Sequence, residues 1–157
     1  MIQLGFSTTD HLLSKIIRKV TNAKTSHCWL LYTDPVLGGD FVMQAELNGI
    51  VLTPWDQFVK KNVVVAVIEP VVDMKPGLLV LAEYLGSMYD FGGLLGGFFV
   101  IVSRWLHRKI HNPFDNPHAL FCSEAVTVAL QAAKYPGTED LVPKDTSPED
   151  LLELLQR

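Results

Sequence analysis

The sequence predicts an α+β fold in which a small antiparallel sheet packs against helices, and three observations carry that prediction. Short apolar runs rich in β-branched and aromatic residues, bounded by turn residues, fill positions 26–33, 41–47, 50–52 and 63–68. Asn48-Gly49 stands between two of these runs, a hairpin signal that makes the early part of the chain an antiparallel meander. Apolar stripes at helical spacing mark 11–20, 122–134 and 148–157. With 157 residues, 48% of them hydrophobic and 19% charged, the chain reads as one domain over 1–157. A chain of this length buries about 68–70% of its unfolded surface, enough for a core without metals or disulfides.

In order, Met1 to Phe6 reads as a short strand. Ser7-Thr8-Thr9-Asp10 supplies cap chemistry for a helix over about 11–20, with Leu12, Leu13, Ile16, Ile17 and Val20 on one face. Ser26 to Thr33 reads as a buried strand that stops at Asp34-Pro35. The strand over 41–47 and the return over 50–52 form the hairpin. Pro54 at the first position suits a short helix to about Lys60. Val63 to Ile68 is a continuous run of the length of a buried strand, and Lys75-Pro76-Gly77 opens a helix that ends at Gly86. The run from Phe91 to Val102 is apolar but short and broken by glycines, so it reads as a buried helix or pocket lip rather than a membrane span, which takes about 20 apolar residues. Residues 104–118, broken by Pro113 and Pro117, form a loop into the helix that begins at Cys122. Ser147, with Pro148 next and Asp150 three positions on, caps a last helix carrying Leu151, Leu152, Leu154 and Leu155.

A net charge of −4 and the lack of any Lys/Arg run argue against a nucleic-acid surface. Two cysteines make neither a disulfide framework nor an all-cysteine zinc site, so Cys28 and Cys122 are expected as free thiols, with no metal and no cofactor implied. Met1 to Phe6 has no basic region ahead of a long apolar run, so no signal peptide is expected; cytoplasmic residence and export by another route both stay open.

The chemistry concentrates at Cys122. In the first turn of a helix its sulfur meets unpaired backbone N–H groups and the positive end of the helix dipole, which favour the thiolate and can also hold an oxyanion. The competing reading is a small buried hydrophobe. A cysteine nucleophile needs a base, usually histidine, and a third group to orient it. His11 lies on a surface helix, His107 and His111 flank a proline-broken segment, and His118 follows Pro117. His27, at the start of a strand, is the best placed to be aimed at a helix packed beside the sheet.

Ile16-Ile17-Arg18-Lys19-Val20-Thr21, Ser26-His27, Gln44-Ala45 ahead of Asn48-Gly49-Ile50-Val51, Tyr89-Asp90-Phe91 and Phe121-Cys122-Ser123-Glu124, in that order, resemble the circularly permuted branch of the NlpC/P60 (papain-like, YiiX/YebB-like) cysteine hydrolase superfamily. There the histidine strand precedes the cysteine helix. The resemblance spans almost the whole chain. It implies Cys122 as nucleophile, His27 as base and Gln44 as the third polar residue, where many members carry glutamate. A neutral amide still accepts an imidazole N–H through its carbonyl oxygen. Glu46 shares the strand face of Gln44 and is a rival orienter, and the competing reading of Gln44 is a solvated strand residue. Cys28 faces the other side of the strand from His27 and reads as core. Tyr89 and Asp90 match a recurring pair that lines the cleft, or form a helix-end turn.

The leading function is then a thiol hydrolase that cleaves an amide in a peptide-like or acyl-bearing substrate, such as a peptidoglycan stem peptide, through a thioester. Two alternatives stand beside it. One is an acyltransferase or lipid-directed thioesterase similar to the lecithin–retinol acyltransferase relatives, which the apolar run favours and the Phe-Cys-Ser-Glu motif disfavours. The other is a binding or virion-structural module that keeps the fold without the reaction.

Overall fold

The computed structural model describes residues 1–9, 14–15, 18–19, 23–46, 49–86 and 121–157. Five antiparallel strands form one sheet: β1 (Ile2–Thr8), β2 (His27–Asp34), β3 (Gly39–Glu46), β4 (Gly49–Pro54) and β5 (Val63–Ile68), in the order β4-β3-β2-β1-β5. A short helix α1 (Trp55–Phe58) follows β4, and α2 (Lys75–Glu83), α3 (Cys122–Ala132) and α4 (Pro148–Leu155) follow among the described residues, an α+β fold. The expected helix over 11–20 lies mostly outside the described residues; Ser14, Lys15, Arg18 and Lys19 are helical.

Strand alternation divides the core in two. Leu4, Phe6, Cys28, Leu30, Met43, Ala45 and Ile50 face α2, α3 and α4, which contribute Leu81, Ala125, Val126, Ala129, Leu130, Leu151 and Leu152. Trp29, Leu31 and Val42 face the opposite way, onto Phe58 of α1 and the partly buried Trp55. The Trp29 ring meets Phe58 edge-on at 4.9 Å and Trp55 at 5.7 Å, while its indole N–H donates to Ser7 Oγ at 3.0 Å. That polar handle lets the largest side chain of the sheet be fully buried.

The structure corrects two expectations. Among the described residues Val63 to Ile68 is an edge strand paired only with β1, and its alternate residues Val63, Val65 and Val67 are exposed, at 61%, 40% and 41%. A continuous β-branched run has the same appearance at an edge as at the centre of a sheet, because periodicity does not report the number of neighbours. Pro54 is the N-cap of α1 rather than its first helical residue, and α1 stops at Phe58. The capping box of α4 forms as expected: Asp150 N donates to Ser147 Oγ at 3.2 Å and Ser147 N to Asp150 Oδ2 at 2.9 Å.

Close approach of α2 to α3 depends on Gly77. A Cβ there would overlap the carbonyl oxygen of Ala129, a backbone atom that cannot step aside. Gly77→Ala is therefore expected to push the two helices apart and lower stability by about 1–3 kcal/mol, read as a lower denaturation midpoint at unchanged m-value. A midpoint equal to that of the wild type would mean that the helices tolerate the wider spacing.

Candidate active site

His27 opens β2, and the chain entering that strand is tightly held. Thr25 Oγ1 donates to Ser7 O at 2.8 Å and Ser26 N to Ser7 O at 3.1 Å. Glu149, in the first turn of α4, accepts from the backbone N–H groups of Lys24 at 2.9 Å and Thr25 at 3.2 Å. Neither Thr25 nor Glu149 stands out in the sequence, since both act by fixing backbone two or three residues before the histidine.

The sheet opens beside His27. The β2–β3 ladder runs from Asp34↔Gly39 to Leu30↔Met43 and stops there, although the same register would next oppose Trp29 to Gln44 and Cys28 to Ala45. Thr33 N donates to Met1 O at 3.0 Å, which turns the odd-numbered amides of β2 toward β1 and the even-numbered ones toward β3. The Cys28 N–H therefore looks into the opening. Cys122, the first residue of α3, sits there and accepts from it. Phe121, the N-cap, has extended backbone and makes no side-chain cap bond, and Cys122 follows it as the first helical residue.

His27 Nε2 lies 2.8 Å from Gln44 Oε1. Gln44 is 3% exposed, a core-lining residue rather than a solvated one. Its amide nitrogen donates to Glu46 Oε1 at 2.7 Å and to Thr53 Oγ1 at 3.1 Å. Because the oxygen of Gln44 faces the ring, Nε2 carries the hydrogen and Nδ1 is left for the second partner of His27, the Cys122 sulfur. Of the two candidate orienters, Gln44 touches the ring and Glu46 touches Gln44.

Cys28 is core, as the sequence reading has it, and it also reaches the site. It is buried and faces away from His27 as alternation requires, but α3 packs on that same face, and the Cys28 thiol is hydrogen-bonded to Cys122. The Cys28 S–H is the largest influence holding the Cys122 thiol well below the ordinary thiol range; burial opposes it, and the hydrogen bond and charge of His27 and the Cys28 N–H add to the lowering. Burial, with the Cys122 charge adding, pushes Cys28 well up. For His27, burial alone would lower the imidazole, but the Cys122 sulfur, Gln44 and Glu46 together raise it above its ordinary value. These shifts favour a thiolate facing an imidazolium, and both side chains are partly exposed.

Tyr89, Asp90, the apolar run 91–102 and the histidines at 11, 107, 111 and 118 lie outside the described residues. Among the described residues no helix is long and apolar enough to cross a membrane.

No protein-family model and no curated protein matches the chain. Among solved structures it is similar to metalloprotein YiiX of Escherichia coli O157:H7, DUF1105, with a TM-score of 0.58 and 20% identity, over 83% of this chain and 64% of that one. The likeness is one of fold: the chain has a YiiX-like α+β architecture and spans less than two thirds of that protein's length. YiiX is titled a metalloprotein, but among the described residues here no group of three or more His, Cys, Asp or Glu side chains is placed to hold a metal ion.

Proposed function

We propose that the chain is a cysteine hydrolase of the permuted NlpC/P60 kind, which cleaves an amide bond in a peptide-like substrate through a thioester. The observation that carries this reading is a single imidazole engaged at both ends, by Gln44 through Nε2 and by Cys122, at the start of a helix. The Cys122 thiolate attacks the substrate carbonyl, and the carbonyl electron pair moves onto oxygen, which the positive end of the α3 dipole favours. As the tetrahedral adduct collapses, the C–N bond breaks and imidazolium His27 gives its proton to the leaving amine. Neutral His27 then takes a proton from water, the hydroxide attacks the thioester, and the carboxylic acid leaves as Cys122 regains its thiolate. Gln44 holds the ring through both halves, so that one nitrogen handles every proton.

The test is intact-mass spectrometry of the protein mixed with peptidoglycan stem peptides and with acyl-bearing esters and lipids. An acyl adduct on Cys122 that turns over to carboxylate, absent in Cys122→Ala, supports the hydrolase. Turnover to a new amide or ester with an added acceptor would place the chain with the acyltransferases, and no adduct from any of these substrates would favour a binding module.

A further inference from the structure

We propose that Glu46, assisted by Thr53, is a positioning residue that sets the tautomer of His27 by fixing which end of the Gln44 amide faces the ring. This rests on the reading of Cys122 and His27 as nucleophile and base, and it goes beyond that reading in assigning Glu46 a role exerted through another side chain.

A glutamine amide has two nearly isosteric orientations, related by a half-turn of its terminal torsion. With oxygen toward His27 it accepts the Nε2 hydrogen and leaves Nδ1 bare, ready to take a proton. With nitrogen toward His27 it donates to a bare Nε2, the hydrogen moves to Nδ1, and the nitrogen facing Cys122 can no longer act as base. Imidazolium requires the oxygen, but once His27 has given up its proton the ring alone does not choose between these states, because neutral imidazole has a tautomer for each.

The choice is made at the other end of the amide. Glu46 Oε1 lies 2.7 Å and Thr53 Oγ1 3.1 Å from Gln44 Nε2, so the two N–H groups of the amide have one acceptor each. Thr53 is a hydroxyl and could serve either orientation, but a carboxylate only accepts. Turning the amide would set the oxygen of Gln44, a residue that is 3% exposed, against the Glu46 carboxylate, two acceptors with no hydrogen between them. Register places the three groups together: Gln44 and Glu46 are two residues apart on one face of β3, and Thr53 opposes Val42, the preceding residue on that face. Glu46 also adds its negative charge to the groups that favour imidazolium at His27, the others being the Cys122 thiolate and the Gln44 carbonyl.

The experiment uses the full chain and needs no substrate. Cys122 alkylation by iodoacetamide is followed from pH 5 to 9, and the ring-nitrogen shifts of His27 are read by NMR, in wild type, Glu46→Ala, Gln44→Glu/Glu46→Ala and His27→Ala. Glu46 is exposed, so its loss leaves the fold intact. The expected result is that Glu46→Ala slows alkylation near pH 7 by about fivefold and, at the alkaline end of the range where the ring is neutral, mixes the His27 tautomers. Gln44→Glu/Glu46→Ala, which faces the ring with an acceptor in either orientation, returns the rate to within about twofold and restores the Nε2–H form. A merely structural role for Glu46 would not be rescued in this way. If His27→Ala slows alkylation while Glu46→Ala changes neither rate nor tautomer, the positioning role falls and the nucleophile reading stands. If His27→Ala has no effect, both fall.

Discussion

His27→Ala is expected to lower kcat/KM on an amide substrate by about 10²- to 10⁴-fold, the range supplied by a positioned general acid and base. It also changes the form of the pH dependence. For the hydrolase proposed above, the wild-type rate is expected to rise as pH passes the Cys122 value, held well below the ordinary thiol range first by Cys28 and then by His27. It falls as His27 loses its proton, at a pH above the ordinary imidazole value because the Cys122 sulfur and Gln44 favour the charged ring over the opposing effect of burial. Thiolate and imidazolium thus coexist between these two limbs. Removing the ring takes away the alkaline limb altogether and moves the acid limb upward, since a lowering influence on Cys122 is lost. A bell-shaped profile that survives His27→Ala would assign the alkaline limb to another group.

Gly5→Ala carries the second large effect, this time on stability. A Cβ at Gly5 would overlap Cζ3, Cη2 and Cε3 of Trp29, whose ring lies directly over the glycine on the neighbouring strand. The ring cannot step aside, being fully buried, bonded to Ser7 Oγ and packed on Phe58 and Trp55. Either Trp29 leaves its pocket or β1 and β2 separate, and the expected loss is about 3–5 kcal/mol, comparable to removing a large aromatic from a core. Trp29 is two residues from His27 on the same face of β2, so any folded fraction should also show slowed Cys122 alkylation. Thermal unfolding and alkylation of the one sample check both effects, and an unchanged Tm would show that the sheet accommodates the methyl group.

Local signals carried much of this architecture. Asn48-Gly49 marked the connection between the paired strands β3 and β4, and Ser147-Pro148-Glu149-Asp150 marked the start of α4, because turn and cap chemistry depend on a few adjacent residues. Cys122 at the first position of a helix was readable for the same reason. What escaped the sequence was relational. The edge position of β5, the contact between Cys28 and Cys122, and the clamp of Glu149 on the chain before His27 each depend on which elements become neighbours in space. Alternation correctly put Cys28 and His27 on opposite faces of β2; the opening of the sheet past Leu30 is what lets one sulfur from α3 meet both. The choice between Gln44 and Glu46 was likewise undecided by residue type, since two residues on one strand face differ only in depth: Gln44 is buried against the ring, and Glu46 reaches it from the rim.

The central claim is that Cys122 is a thiolate made reactive by its surroundings, and the chain carries its own reference thiol in Cys28, buried and pushed upward by that burial. Limiting iodoacetamide at pH 6.5, followed by peptide mass spectrometry, compares the two within one molecule. Cys122 is expected to be labelled at least about tenfold faster than Cys28, with the preference reduced in His27→Ala. Equal labelling of the two cysteines, or a Cys122 rate that climbs tenfold per pH unit up to the ordinary thiol range near 8.5, would contradict it.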